Sequence, residues 1–204
     1  SKVGLSALTG LGAYMATVIL GLFIMLIVYM VIIKFFAKRP LLSTLSIIKE
    51  PQLLAFSTSS SAATMPVSLK TAEEKLNVKP KVSQFIVPLG ATINMDGTAM
   101  YQIIAVFFLA QLFDVNLSFT TIILIALTSL AASIGAPSAP GTGIVILSTI
   151  LIAAGVPAVG VVLLLGVDRI LDMTRTMINV TGDLTACMFF NGRIKSDEPP
   201  EMKL

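Results

Sequence analysis

Residues 156–190 form an apolar stretch long enough to cross a bilayer, yet they carry Asp168, Arg169, Asp172, Arg175, Asn179 and Asp183. A charged side chain at membrane depth is disfavoured by roughly 2.5 kcal/mol or more, so such residues face a bundle interior or an aqueous path and have partners there. At 100° per residue, Asp168, Asp172, Arg175, Thr176, Asn179 and Asp183 fall within about a quarter of the helix circumference. The spacing predicts one polar stripe turned inward.

The rest of the chain suits a membrane. It is 55% hydrophobic and 12% charged, with a mean hydropathy of +0.93, outside the usual range of soluble domains. Residues 3–33 and 115–167 contain no charge, and a single crossing needs about 20 residues. The first run is too long for a cleavable signal peptide and lacks a basic start and a small-residue cleavage site. With no histidine and one cysteine, Cys187, the chain has no disulfide framework, no Cys/His metal site and no Ser-His or Cys-His pair. Nothing in it suggests nucleic-acid binding or an enzyme.

Five segments follow. Residues 9–38 form a transmembrane helix closed by Lys34, Lys38 and Arg39, cations that suit a helix C-terminus and a cytoplasmic flank. Residues 40–77 are broken by a hydroxyl-rich run through Ser59-Ser60-Ser61 to Met65-Pro66, because hydroxyls compete for backbone hydrogen bonds and proline removes one. Residues 82–113 are a span interrupted around Asn94-Met95-Asp96-Gly97-Thr98. Residues 117–154 repeat the arm, breaker, arm pattern, with a Gly/Pro-rich breaker from Ser133 to Gly143 that no α-helix tolerates. Residues 156–190 are the charged span.

Counting cations selects the topology. As full spans, segments two and four would set Lys34, Lys38 and Arg39 opposite Lys70, Lys75, Lys79 and Lys81, against the positive-inside tendency. As re-entrant hairpins they leave all these cations on one side with Arg193 and Lys195. Irregular backbone at membrane depth persists only where protein or a water-filled cavity surrounds it, so two such tips imply a site. The expected fold is all-α: transmembrane helices plus two re-entrant helical hairpins in an inverted repeat, as in secondary transporters.

The residue types point to two chemistries. Asp172 offers a carboxylate for an ammonium, and Arg175 a planar bidentate donor for a second carboxylate, which together suit an acidic amino acid. A buried structural ion pair is the plain alternative. Asn94, Asp96, Asn179 and Asp183 are hard oxygen donors beside glycines, suited to a hard cation such as sodium; helix-packing contacts are the alternative there. The Ser59-Ser60-Ser61 tip presents hydroxyls and free N–H groups to a ligand carboxylate. The second tip, with Ala139 and Gly143 as its substrate candidates, offers the same and has glycines that let it move as a gate.

Taken together, Ser59-Ser60-Ser61 before Met65-Pro66, Asn94-Met95-Asp96-Gly97-Thr98, Ser133-Ile134-Gly135 and Asp172-x-x-Arg175-Thr176-x-x-Asn179-Val180-x-Gly182-Asp183 resemble the glutamate transporter family of dicarboxylate/amino acid:cation symporters, over nearly the whole chain. The resemblance implies the transport-domain core from the sixth transmembrane helix onward. It also implies a multi-pass protein of the plasma or inner membrane, in contact with lipid and a homotrimer when full length, its scaffold mostly in an earlier half.

It further implies that Asp172 binds the substrate ammonium and Arg175 its side-chain carboxylate. Asn179, Thr176 and the Ser61 region would bind the main-chain carboxylate, with Thr98 beside them. One sodium would use Asp183 with backbone oxygens of Gly90, Asn94 and Asn179, and a second the carbonyls of Thr92, Ser133, Ile134 and Ala136. A third would use Asn94 and Asp96 with ligands from the absent third helix. Proton-coupled members carry a glutamate where this chain has Gln102, so sodium coupling without that proton step is expected. A second arginine found near the substrate in members is replaced here by Ser59 and Met173, with Arg169 a turn away.

The expected function is sodium-coupled symport of aspartate or glutamate by alternating access. The rivals are a dicarboxylate or neutral amino-acid symporter of the same fold, a channel, and an intramembrane protease, which would want a histidine or two facing aspartates.

Overall fold

The computed structural model describes residues 2–193, with side chains from residue 9 onward. Lys195, used in the cation count, lies outside the described residues. All regular elements among these residues are helical. Helix α1 spans Lys2–Val31 and continues as a wider π-helical turn, Ile32–Phe36; α2 spans Leu41–Thr58, and α3 spans Ser61–Lys70 with a π turn at Thr71–Lys75. Helices α4 (Pro80–Ile93) and α5 (Asp96–Leu112) are separated only by Asn94 and Met95; α6 (Phe119–Ile134) and α7 (Thr142–Ala153) flank the Gly/Pro-rich segment; α8 runs over Val161–Asn191.

The break between α2 and α3 falls at Ser59 and Ser60. Ser59 is left-handed with φ 52°, and Ser60 is extended, its Oγ accepting from the Ala63 N–H at 3.2 Å to cap α3. Thr58 Oγ1 donates back to the Leu54 carbonyl at 2.8 Å. The hydroxyls therefore make the interruption, whereas Pro66 lies inside α3 without ending it. Neighbouring packing carries a proline in a helix when the freed carbonyl is accommodated. The second break ends at Gly141, whose φ of 77° is a left-handed value that a glycine adopts freely.

Helix α8 is the spine. It packs against α1, α2, α3, α4, α5 and α7. Two apolar clusters meet along it: Leu164, Leu171 and Ile178 join Tyr14, Leu22, Tyr101, Leu109 and Leu147, while Val180, Leu184 and Met188 join Ile33, Ile48, Leu76 and Val82. Between and beside these clusters Asp168, Asp172, Arg175, Thr176, Asn179 and Asp183 are all buried, so the polar stripe does face the interior.

Thr9–Phe36 and Pro80–Leu112 are long and apolar enough to cross a membrane. Leu20, Phe23 and Ile24 on α1, Phe119, Leu127 and Leu130 on α6, and Val162 and Leu165 on α8 are exposed. An outer surface of this kind costs free energy in water and none in lipid.

Candidate functional site

The starts of α3, α5 and α7 and the middle of α8 converge on one cleft. Arg175, 2% exposed, has its Nη2 2.9 Å from Asp172 Oδ1 and its Nη1 3.4 Å from Asp168 Oδ1. Its guanidinium carbon sits 4.3 Å from the centre of the Tyr101 ring, a cation–π arrangement that offsets part of the cost of burial. A charge taken this far from water is stable only with several partners. Gly143 leaves room for it: a methyl group there would lie 2.5 Å from Nη2.

Asp172 has a second partner. Its Oδ2 accepts from the Gly141 N–H at 2.8 Å, at the cap of α7, where the helix dipole favours a negative group. The carboxylate thus fastens the second tip to α8. Ser60 Oγ donates to the Ser138 carbonyl at 2.5 Å, joining the two tips, and Ser138 Oγ donates to the Ala91 carbonyl at the end of α4.

The cleft is lined by Ser59, Ser61, Thr98, Ala139, Gly143, Asp172, Arg175, Thr176 and Asn179, which are all the substrate candidates except Ser60. Ser60 instead caps α3 and holds the other tip. Met95, Pro137, Ser138 and Thr142 also line it and were not singled out by the sequence reading. All four lie inside the interruptions that the sequence marks, Asn94–Thr98 and Ser133–Gly143, so the segments were legible and the choice of lining residues within them was not. Ser59 Oγ is buried without a hydrogen-bond partner.

A second cluster lies one to two turns further along α8. Asn94 Nδ2 donates to Asp183 Oδ1 at 2.9 Å and lies 3.5 Å from the Asn179 carbonyl oxygen. Gly90 stands directly against Asp183, since a methyl group there would overlap the carboxylate. Asp96 Oδ2 accepts from the hydroxyl of Tyr29 at 2.6 Å, a residue in the uncharged run of α1 that the sequence reading missed. Buried tyrosine hydroxyls do not all pair here, since those of Tyr14 and Tyr101 have no hydrogen-bond partner among the described residues, so the sequence carried no signal for this contact. Among the described residues no Lys or Arg pairs with Asp96 or Asp183. Two carboxylates, an amide and nearby carbonyls make an all-oxygen donor set of the kind hard cations prefer.

The candidates for the remaining ion site are spread over two elements. The Thr92 side chain is exposed and donates to the Leu89 carbonyl at 2.8 Å. Ser133 is buried and donates to the Leu130 carbonyl at 2.8 Å; Ile134 has an exposed side chain, and Ala136 is buried in the cleft wall. Helices α4 and α6, which carry Thr92 and Ser133, do contact each other.

Asn179 belongs to both clusters. Its Oδ1 accepts from the Gly97 N–H at 2.8 Å and its Nδ2 lies 3.3 Å from Thr98 Oγ1, while its backbone oxygen faces Asn94.

An interior of paired charges beside an all-oxygen cluster, set among apolar helices, is the anatomy of a membrane carrier. The sequence matches the profile of the Sodium:dicarboxylate symporter family over residues 1–193. It is 47% identical over 175 residues to excitatory amino acid transporter 3 of Bos taurus, covering 85% of this chain and 33% of that protein. It is 45% identical over 175 residues to the Homo sapiens protein of the same name, with the same coverages. To excitatory amino acid transporter 2 of Homo sapiens it is 43% identical, covering 85% of this chain and 30% of that protein. The chain belongs to the sodium:dicarboxylate symporter family, a family of membrane transporters. It spans about a third of the length of the curated relatives it matches.

Proposed function

We propose that the protein containing this chain is a sodium-coupled symporter of acidic amino acids, aspartate or glutamate, and that residues 1–204 form the core of its transport domain. The observation that carries this is the Asp172–Arg175 pair at 2.9 Å inside a cleft walled by three helix interruptions. Asp172 receives the ammonium, Arg175 the side-chain carboxylate, and Asn179, Thr176, Thr98 and the Ser59–Ser61 tip the main-chain carboxylate. Ala139 and Gly143 close the pocket from the second tip.

Charge counting supports the coupling. Asp168, Asp172 and Arg175 sum to one negative charge, and Asp96 with Asp183 add two more. An acidic amino acid brings a further negative charge into this interior. Cations must accompany it, because uncompensated charge of one sign away from water is prohibitively costly. Sodium bound by Asp183, Gly90, Asn94 and Asn179, by Asp96 with Asn94, and by carbonyls of Thr92, Ser133, Ile134 and Ala136 provides it. Asn179 serves ion and substrate alike, so binding of one organises the other, and their affinities rise together.

The two interrupted pairs, α2–α3 and α6–α7, are re-entrant hairpins in an inverted repeat, with the segments as the sequence delimits them: 9–38, 40–77, 82–113, 117–154 and 156–190. The second hairpin is the gate, a role supported by its tip being held through hydrogen bonds at Asp172, Ser60 and Ala91. The full-length protein is a homotrimer of the cell membrane. The names of its relatives, excitatory amino acid transporters, support the choice of substrate. The experiment is uptake of labelled aspartate into proteoliposomes holding the complete protein. An inward sodium gradient drives accumulation, and uptake indifferent to sodium refutes the coupling.

A further inference from the structure

Tyr29 is not among the residues that line the substrate cleft, yet it is 6% exposed and ends in a 2.6 Å hydrogen bond from its Oη to Asp96 Oδ2. It reaches that carboxylate from α1, a helix that otherwise brings only apolar side chains to its neighbours along this stretch: Leu26 and Ile32 pack into the same core.

The wall opposite is shaped to admit it. A methyl group on Gly182 of α8 would lie 2.5 Å from Tyr29 Oη and 2.6 Å from Asn94 Nδ2. Only a glycine at that turn lets the phenol and the amide stand side by side. The amide holds Asp183 Oδ1 at 2.9 Å as the phenol holds Asp96 Oδ2, so each carboxylate is gripped through one oxygen by a neutral donor. A neutral donor fixes a carboxylate's direction without cancelling its charge, which a lysine or arginine would do.

We propose that Tyr29 is a positioning residue for cation binding: its O–H holds Asp96 Oδ2 so that the other carboxylate oxygen is presented to a sodium ion in a fixed orientation. This rests on Asp96, Asn94 and Asp183 being a sodium-binding cluster. The phenol sets the affinity for the ion and leaves the substrate contacts around Arg175 alone.

The test is Tyr29→Phe in the complete carrier, a change that removes one O–H and keeps the ring. Equilibrium aspartate binding is titrated with sodium chloride at constant ionic strength, choline chloride making up the balance, and the thermal midpoint is measured in choline alone. The sodium concentration for half-maximal binding is expected to rise about tenfold, as for loss of a hydrogen bond to a charged group. Aspartate affinity at saturating sodium is expected to stay within about twofold of the unsubstituted protein. A lowered thermal midpoint with an unchanged sodium dependence would mean that Tyr29 only packs, and would overturn the proposal. Unsubstituted protein that binds aspartate equally well without sodium would overturn the cluster assignment itself and this inference with it.

Discussion

The side-chain oxygen of Asn179 accepts a hydrogen bond from the Gly97 N–H at 2.8 Å, fastening the start of α5 to the middle of α8 where the charged cleft and the acidic cluster meet. Glycine is needed for that approach: a methyl group on residue 97 would lie 2.9 Å from the Arg175 carbonyl oxygen and 3.0 Å from Asn179 Oδ1. The first of these is backbone and cannot swing aside. Gly97→Ala should therefore wedge α5 from α8 at a cost of about 1–3 kcal/mol. The thermal midpoint and the sodium and aspartate affinities of the complete protein are expected to fall together. Loss of one affinity with the other intact would show that the junction does not link the sites.

Removing the guanidinium changes what the cleft can hold. Arg175→Cys leaves Asp168 and Asp172 facing each other without their shared cation, and it deletes the donor for a side-chain carboxylate. Aspartate affinity should drop on the order of a hundredfold, or about 2.7 kcal/mol, while small neutral amino acids gain relative to it. Competition of neutral and acidic amino acids against a labelled substrate measures this. An unchanged preference for aspartate would contradict the assigned role of Arg175.

Gly143→Ala addresses the same group without deleting it. The atoms nearest the added methyl would be the end of the Arg175 side chain, at 2.5 to 2.9 Å, and a flexible end gives way where backbone does not. The guanidinium is displaced and the fold is kept. A roughly tenfold weaker affinity for aspartate, about 1.4 kcal/mol, is expected with a thermal midpoint close to that of the parent. Calorimetry and thermal unfolding on one preparation decide it.

The second tip should open more readily when Ser138→Ala removes the hydroxyl that donates to Ala91, because the Ser138 carbonyl still receives Ser60 and no helix cap is lost. A net hydrogen-bond contribution of about 1 kcal/mol corresponds to roughly fivefold faster amide hydrogen exchange over residues 135–141. Exchange equal to that of the parent would mean that other contacts hold the tip.

Some of this arrangement was open to a sequence reader. The interruptions at Ser59–Ser60, Asn94–Met95 and the Gly/Pro-rich tip follow from local chemistry, since hydroxyls, glycine and proline act within a residue or two of themselves. The Asp172–Arg175 contact follows from a three-residue spacing on one helix. Pro66 misled because a proline's local cost does not reveal the packing that absorbs it. Tyr29 with Asp96, Tyr101 beneath Arg175 and Ser138 on Ala91 were illegible for a different reason. Each joins residues on different elements, and helical periodicity says which face a residue occupies without saying what lies opposite. The burial of the whole stripe on α8 was predictable, and the family resemblance implied a double use of Asn179; the contacts that join it to Gly97 and to Asn94 required coordinates.

The most direct test of that shared use is calorimetric titration of aspartate into the complete protein, once in sodium chloride and once in choline chloride. The account predicts strong binding in sodium and a loss of affinity of at least about tenfold, or 1.4 kcal/mol, in choline. Equal affinity in both salts would contradict it.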